Sequence, residues 1–187
     1  LRDTVSVKDF GAVGDGVADD TAAVQAAINY AGPIGYAIYF PPGTYRTTAT
    51  VGYTRVDADR FGVRIMGAGE YQTFIQGDHN AGPVLALNRS FGVIQNITIS
   101  ASTARTAGSA TSGTAYLPNV GILMEAPDIA GKTVASMSIQ QVRVISQPSH
   151  GIVHVGTMIS SYYEQALCQS NLGHGFVFDG GQLTSRV

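Results

Sequence analysis

Apolar and polar residues alternate in several short stretches of the chain, and one stretch alone switches to helical spacing. Val5 and Val7 alternate with Ser6 and Lys8, the pattern of a half-buried strand. From Thr21 the period changes: Val24, Ala27, Ile28 and Ala31 recur on one helical face, and Gly32-Pro33 stops the run. Between the two, Gly11, Gly14 and Gly16 supply turn positions with Asp15 among them. Asp19 or Asp20 is placed to cap the helix, its carboxylate accepting from the free N–H groups of the first turn. These patterns predict a short strand, a Gly/Asp turn and the one substantial helix of the chain.

Beyond the helix the pattern is strands and turns. Gly35 to Tyr39 reads as an apolar strand turned by Pro41-Pro42-Gly43, and Arg64–Met66 and Phe74–Gln76 as short strands around a Gly67/Gly69 bend. Three later segments align on a glycine: Asn119–Glu125, Ser149–Val155 and Gly173–Asp179, with Gly121, Gly151 and Gly175 each followed by an alternating strand. A second set interleaves with them, Asn96–Ser100, Gln141–Ile145 and Gln165–Gln169, each opened by an amide residue that would stack into a side-chain ladder. Repeats of roughly 20 to 30 residues built from short strands and turns are the mark of a solenoid whose neighbouring turns bury one another's apolar faces. A doubly wound α/β sheet would need helices between the strands, and the pattern holds none.

Alternation also sorts side chains between the faces of the aligned strands. Ile122, Ile152 and Phe176, and Met124, His154 and Phe178, should point inward; Leu123, Val153 and Val177, and Glu125, Val155 and Asp179, should point outward. Glu125 and Asp179 would then stand two turns apart, on the order of 9 to 10 Å, near the roughly 6.5 to 9.5 Å that separates the acid and base of inverting glycosidases. They are the candidate catalytic pair, set against two solvated surface carboxylates. Tyr162, Tyr163 and Glu164 form an aromatic-acid cluster suited to sugar rings, and Arg143, outward in its strand, suits a substrate carboxylate. Lys132, Arg143 and Tyr162 are also available as the cation and base of a lyase, although nothing in the sequence makes them converge. His150 and His174 should stack in one column, as turn-stabilising residues rather than metal ligands, because no third ligand is spaced to join them.

Composition narrows the classes. With 44% hydrophobic and only 13% charged residues in 187, the chain can bury one sizeable core. A net charge of −2 is not that of an electrostatic nucleic-acid binder. No apolar run approaches the length of a membrane-spanning helix, and Leu1-Arg2-Asp3 does not begin a signal peptide. The absence of an initiator Met suggests a processed product or an excised piece, and the end at Gly180–Val187 directly after a strand suggests either a truncated chain or an assembly partner covering an uncapped last turn. The single Cys168 excludes an internal disulfide and reads as a buried structural thiol. Ser100 to Ala115 is a small-residue polar stretch expected to bulge as a side loop over about 100–116, or to form a lip over a groove.

The stretch SVKDFGAVGDGVADDTAAVQAAI, followed by PPGTYR and RIMGAGEYQTFI, resembles the start of the pectate-lyase-like right-handed parallel β-helix proteins, in particular bacteriophage tailspikes and related polysaccharide depolymerases. The matching residues, from Asp9-Phe10-Gly11 to Thr73 and Ile75, cover roughly the first 75 positions. The resemblance implies an all-β, single-stranded right-handed parallel β-helix over 1–187, with a strand and capping α-helix in 1–34 and solenoid turns in 35–187. It also implies a homotrimer on a phage tail or in a secreted setting, binding and depolymerising a bacterial surface or other acidic polysaccharide, with hydrolysis ahead of lyase chemistry. It carries over no catalytic residue, since the matching segment is the structural cap. The alternative is a non-catalytic structural or glycan-binding module whose active site lies in a C-terminal part not present here. A Ca²⁺-dependent lyase or uronan epimerase would need clustered Asp ligands. Asp57, Asp59 and Asp78 are too scattered to supply them, so no cofactor or metal is expected.

Overall fold

The computed structural model describes residues 3–54, 62–80, 82–88, 92–103, 119–126, 137–156, 159–179 and 184–186. The chain winds as a coil of short strands. Its first turn runs through β1 (Thr4–Ser6), a 3-10 turn at Val7–Phe10, β2 (Asp15–Asp19) and α1 (Thr21–Ala31). The second holds β3 (Ala37–Phe40), β4 (Gly43–Thr47) and β5 (Val51–Thr54), the third β6 (Val63–Gly67), β7 (Thr73–Gly77) and β8 (Leu85–Asn88). The next turns are β9 (Gly92–Ala101) with β10 (Ile122–Ala126), β11 (Met137–Ile145) with β12 (Ile152–Gly156), and β13 (Ile159–Gln169) with β14 (Phe176–Asp179); β15 (Thr184–Arg186) then adds to β13.

Every pairing is parallel and joins one turn to the next, which makes a parallel β-helix with three faces. Face A stacks β1, β3, β6 and the first halves of β9, β11 and β13. Face B stacks β2, β4, β7 and the second halves of the same three long strands. Face C stacks β5, β8, β10, β12 and β14. The registers predicted from alternation are observed: Ile122 pairs with Ile152 and Ile152 with Phe176, Met124 with His154 and His154 with Phe178.

The core is a set of columns, one residue per turn. Val5, Ile38, Ile65, Ile94, Ile139 and Tyr163 form one on face A; Tyr45, Ile75, Ile99, Val144 and Cys168 form one on face B. The four isoleucines of the first column, with Tyr45, Ile75, Ile99 and Val144 of the second, are fully buried. Each such side chain gives roughly 1.5 to 3 kcal/mol by leaving water. Where face C begins, Gly121, Gly151 and Gly175 also stack. A Cβ on Gly151 would lie 2.6 Å from the Gly175 carbonyl oxygen and 2.8 Å from the Cys168 sulfur, so the column has no room for a side chain.

Helix α1 stands where the first turn would otherwise place a strand on face C. Val24, Ala27, Ile28 and Ala31 close the end of the core. Gln25 does what a neighbouring strand would do: its amide accepts from Gly52 N at 2.9 Å and donates to Gly52 O at 2.8 Å, which satisfies the edge of β5. Asp20 occupies the N-cap position, and its carbonyl accepts from Val24 N at 2.9 Å, but its side chain makes no bond to the helix. Its buried carboxylate instead accepts from Val13 N at 2.6 Å and Gly14 N at 3.0 Å and fixes the Gly/Asp turn. The first-turn N–H of Thr21 is taken by Asp19.

Direction and burial part company on face C. Leu123 and Val153 point outward as expected, yet both are buried and form a second apolar cluster with Val120. Phe176 and Phe178 continue inward columns but remain 37% and 43% exposed, because β14 is the last described strand of that face.

Candidate functional site

The corner between faces A and B is where the geometry becomes chemical. In three successive turns it is made by a single residue in the left-handed region: Asn96 (φ 57°), Gln141 (φ 52°) and Gln165 (φ 51°). These are the three amides whose stacking the sequence predicts, and the registers on either side place them one above another. In the turn before, the same corner takes Gly67 plus the segment 68–72. A Cβ on Gly67 would lie 2.2 Å from the Asn96 carbonyl oxygen, so glycine lets the two corners nest while the extra residues are pushed outward.

That extra loop is rigid. Gln72 N and Thr73 N both donate to Gly69 O, at 3.0 and 2.9 Å. Gln72 O accepts from Gly43 N at 2.9 Å, and the Thr98 hydroxyl donates to Glu70 O. Between the loop and the amide corners opens a groove of about 420 Å³ lined by Gly69, Glu70, Tyr71, Gln72, Asn96 and Gln141. This volume lies in the range of small-ligand sites.

Tyr71 is 69% exposed, and the Arg143 guanidinium lies over its ring, 4.6 Å from the centroid. Arg143 projects outward from face B in register with Thr98, as its place in the alternation predicts. It is half-buried, its Nε is buried without a partner, and no carboxylate among the described residues forms an ion pair with it. The other outward arginine of face B, Arg46, is by contrast neutralised by Asp78, with Nε to Oδ2 at 2.7 Å. Ser102 and Arg46 together hold the Asp78 carboxyl below the usual carboxylate range.

The other residues singled out in the sequence do not converge. Tyr162 and Glu164 lie exposed on face A, and Glu164 pairs in register with Gln140, beside the groove-lining Gln141. Tyr163 turns inward. Its hydroxyl bonds to Nε2 of His154, and it packs among His154, Phe176 and Phe178 at ring-centroid distances of 5.6, 5.7 and 6.1 Å. It therefore belongs to the core rather than to a surface cluster. Burial holds the His154 imidazole neutral, with its pKa pushed down to about 3.

Glu125 lies on face C between Asn88 and Val155 in register, and Val155 separates it from Asp179 as expected. The Asp179 side chain lies outside the described residues, as do Lys132, Asp57, Asp59 and most of the predicted side loop. The outer wall beside Glu125 is apolar, built from Leu123, Val153, Val155 and Val177. His150 and His174 stack nearly parallel, 5.5 Å apart and 6° from coplanar, and His174 N donates to His150 Nδ1, the turn-stabilising arrangement expected. Burial pushes the Cys168 thiol up to about 12, consistent with a structural role. Among the described residues, no group of three His, Cys, Asp or Glu is arranged to hold a metal ion.

The fold and the corner loop can be set against known proteins. The family model for rhamnogalacturonase A/epimerase, pectate lyase-like proteins matches residues 4–185. The chain belongs to that family. Over 76 residues it is 45% identical to mannuronan C5-epimerase AlgE1 of Azotobacter vinelandii, a match covering 38% of this chain and 5% of that protein. Its fold is similar to that of the enzymatically active domain of bacteriophage CBA120 tailspike protein 2, with a TM-score of 0.67 at 18% identity, covering 95% of this chain and 26% of the other. It is likewise similar to the A-module of Azotobacter vinelandii mannuronan C-5 epimerase AlgE4, with a TM-score of 0.62 at 21% identity, covering 98% of this chain and 55% of that one. In each case the chain spans only part of its relative's length.

Tyr71 was not among the residues singled out from sequence. The available signal was its position in the irregular stretch between two strands that pair in register with their neighbours on both sides.

Proposed function

We propose that this chain is the polysaccharide-binding part of a carbohydrate-active β-helix protein, and that it takes an acidic glycan along the groove lined by Tyr71, Asn96 and Gln141, with Arg143 beside it over the Tyr71 ring. One observation carries the reading: Arg143 is a half-buried cation, oriented by an aromatic ring, with no acidic partner among the described residues. A guanidinium so placed offers a planar fork to a carboxylate. The amides of Asn96 and Gln141 supply donors and acceptors along the groove, and the Tyr71 ring supplies a stacking face. The family and the mannuronan C5-epimerase relative support a uronate-bearing polymer as the ligand.

The test is calorimetric titration with oligogalacturonate and oligomannuronate, with neutral oligosaccharides as controls. A charge-assisted bond contributes roughly 1.5 to 3 kcal/mol, so Arg143→Met should weaken acidic-glycan binding about 10- to 150-fold. Tyr71→Ala should weaken it less. Equal binding by wild type and both variants, or none by wild type, overturns the reading.

A second reading adds catalysis by Glu125 and Asp179. It is supported by their register two turns apart on one face, on the order of 9 to 10 Å, with Val155 in the turn between. New reducing ends from a polysaccharide without any ultraviolet-absorbing product, lost in both Glu125→Gln and Asp179→Asn, would establish hydrolysis. Unsaturated, ultraviolet-absorbing products would instead indicate a lyase.

A further inference from the structure

The corner between faces B and C holds the two stacked histidines. There 146–151 and 170–175 lie one over the other, tied mostly through the backbone. Leu172 N donates to Gln147 O at 3.0 Å, Gly173 N to Ser149 O at 2.8 Å and Gly151 N to His174 O at 3.0 Å. One tie differs in kind: His174 N donates to Nδ1 of the His150 ring at 2.9 Å. A Cβ on Gly173 would lie 2.6 Å from that nitrogen, so glycine lets the backbone close on the imidazole.

An imidazole nitrogen accepts only through its lone pair. The bond therefore fixes His150 as the tautomer with its proton on Nε2, and it lasts only while the ring is neutral. A proton on Nδ1 would face the His174 N–H, donor against donor. His150 is also 8% exposed, with the His174 ring stacked 5.5 Å away. Burial, and then charge on His174, hold its pKa below the ordinary 6.5. The described residues stacked at this corner, 119–121, 146–151 and 170–175, include no Asp, Glu, Lys or Arg, and the two histidines are their titratable side chains. From β13 the Cys168 thiol lies beside Gly151 and stays protonated. β10, β12 and β14 lead away with apolar residues, and the first titratable groups along them are Glu125, His154 and Asp179.

We propose that the His174–His150 bond is an acid-sensitive latch, and that protonating His150 releases the 171–174 corner from the turn before it while the rest of the solenoid stays wound. The sign follows from the two states. With the corner lifted, His150 takes up a proton at its ordinary pKa; with the corner closed, it does so only at lower pH. The closed corner therefore holds fewer protons. Its stability is full above pH 6.5 and falls as pH drops, by up to about tenfold in the opening equilibrium for each pH step of one, until the closed-state pKa is passed. The opening is local because Leu172, Gly173 and His174 are exposed and bury no core side chain. The corner leads directly into β14, the last described strand of face C, so the latch couples the acidity of the medium to how firmly that strand is held. None of this depends on glycan binding.

The experiment is native-state amide hydrogen exchange by NMR from about pH 7.5 to about pH 5, a range that brackets the ordinary histidine pKa, with each rate divided by the intrinsic rate at that pH. Protection of the Leu172, Gly173 and His174 amides should fall on acidification, by up to about tenfold for each pH step of one. Low concentrations of urea should leave that loss unchanged, since a local opening exposes little surface, while exchange of the core amides of Ile94 and Ile97 responds to urea. Long-range ¹H–¹⁵N spectra should show the His150 proton on Nε2 at neutral pH. His150→Asn keeps an acceptor near the place of Nδ1 but takes up no proton, so it should hold the corner at neutral pH and remove the dependence. The double variant His154→Leu with Tyr163→Phe, which removes the other buried histidine, should retain it. Protection that ignores pH, that follows urea as the core amides do, that falls as steeply in His150→Asn, or that loses its pH dependence in the double variant overturns the proposal. So does a His150 proton found on Nδ1.

Discussion

The guanidinium of Arg143 rests 4.6 Å from the ring centroid of Tyr71, and the two residues come from different turns of the solenoid. The contact exists because the corner at 68–72 is longer than the corners of the turns that follow. A cation over an exposed ring is worth about 0.5 to 1 kcal/mol, too little to account for a half-buried charge without an ionic partner. Tyr71→Ala should therefore lower stability by no more than about 1 kcal/mol in urea unfolding, while changing acidic-glycan affinity measurably. A large loss of stability would mark the pair as structural.

If the bound ligand is anionic, its affinity should fall as salt rises, and the salt dependence should flatten in Arg143→Met. Titrations of both proteins at low and high ionic strength check this. Parallel slopes would place the recognised charge elsewhere on the chain.

The buried His154 sets a pH dependence of stability. The unfolded chain protonates this histidine below its ordinary pKa of 6.5, whereas the folded chain does not until about 3. Between those values the folded state holds fewer protons, so stability is full above pH 6.5 and falls as pH drops, by up to about 1.4 kcal/mol for each pH step of one. Replacing the bonded pair together, His154→Leu with Tyr163→Phe, should flatten unfolding free energy across that window. An unchanged slope would show that other groups carry it.

Gly151→Ala tests the stacked glycine column. The added methyl meets the Gly175 carbonyl oxygen at 2.6 Å, a backbone atom that cannot swing aside, as well as the Cys168 sulfur at 2.8 Å and the Asn171 amide nitrogen at 2.9 Å. A loss of about 1 to 3 kcal/mol is expected, read from the urea midpoint.

Asp20→Ala would strand two amide groups, those of Val13 and Gly14, in the turn that precedes α1. The expected cost is at least about 1 to 3 kcal/mol, and Asp20→Asn should recover part of it, because its amide oxygen can still accept one bond. Cysteine placed at position 13 as a labelling probe would report the loosening directly.

The residue columns were legible from sequence because in a solenoid alternation and repeat length fix both direction and neighbour. Ile122, Ile152 and Phe176 needed nothing more, nor did the amides at 96, 141 and 165. Alternation could not reveal that Leu123 and Val153 are covered, since direction and burial are different properties. Tyr163 looked like a surface residue because its neighbours Tyr162 and Glu164 are exposed, although a period of two places the middle one inside. The Tyr71–Arg143 contact had no local signal, because a corner's length decides which turns its residues reach across.

The single-residue amide corners have a further consequence. A turn that spends only one residue at its corner leaves the interior columns on either side in register whatever its neighbours do there. Corner length is thus a free variable of the solenoid, open to insertion without repacking. Lengthening the corner at Gln141, as the chain has already done at 68–72, would raise a second parapet along the same edge and extend the channel by one rung.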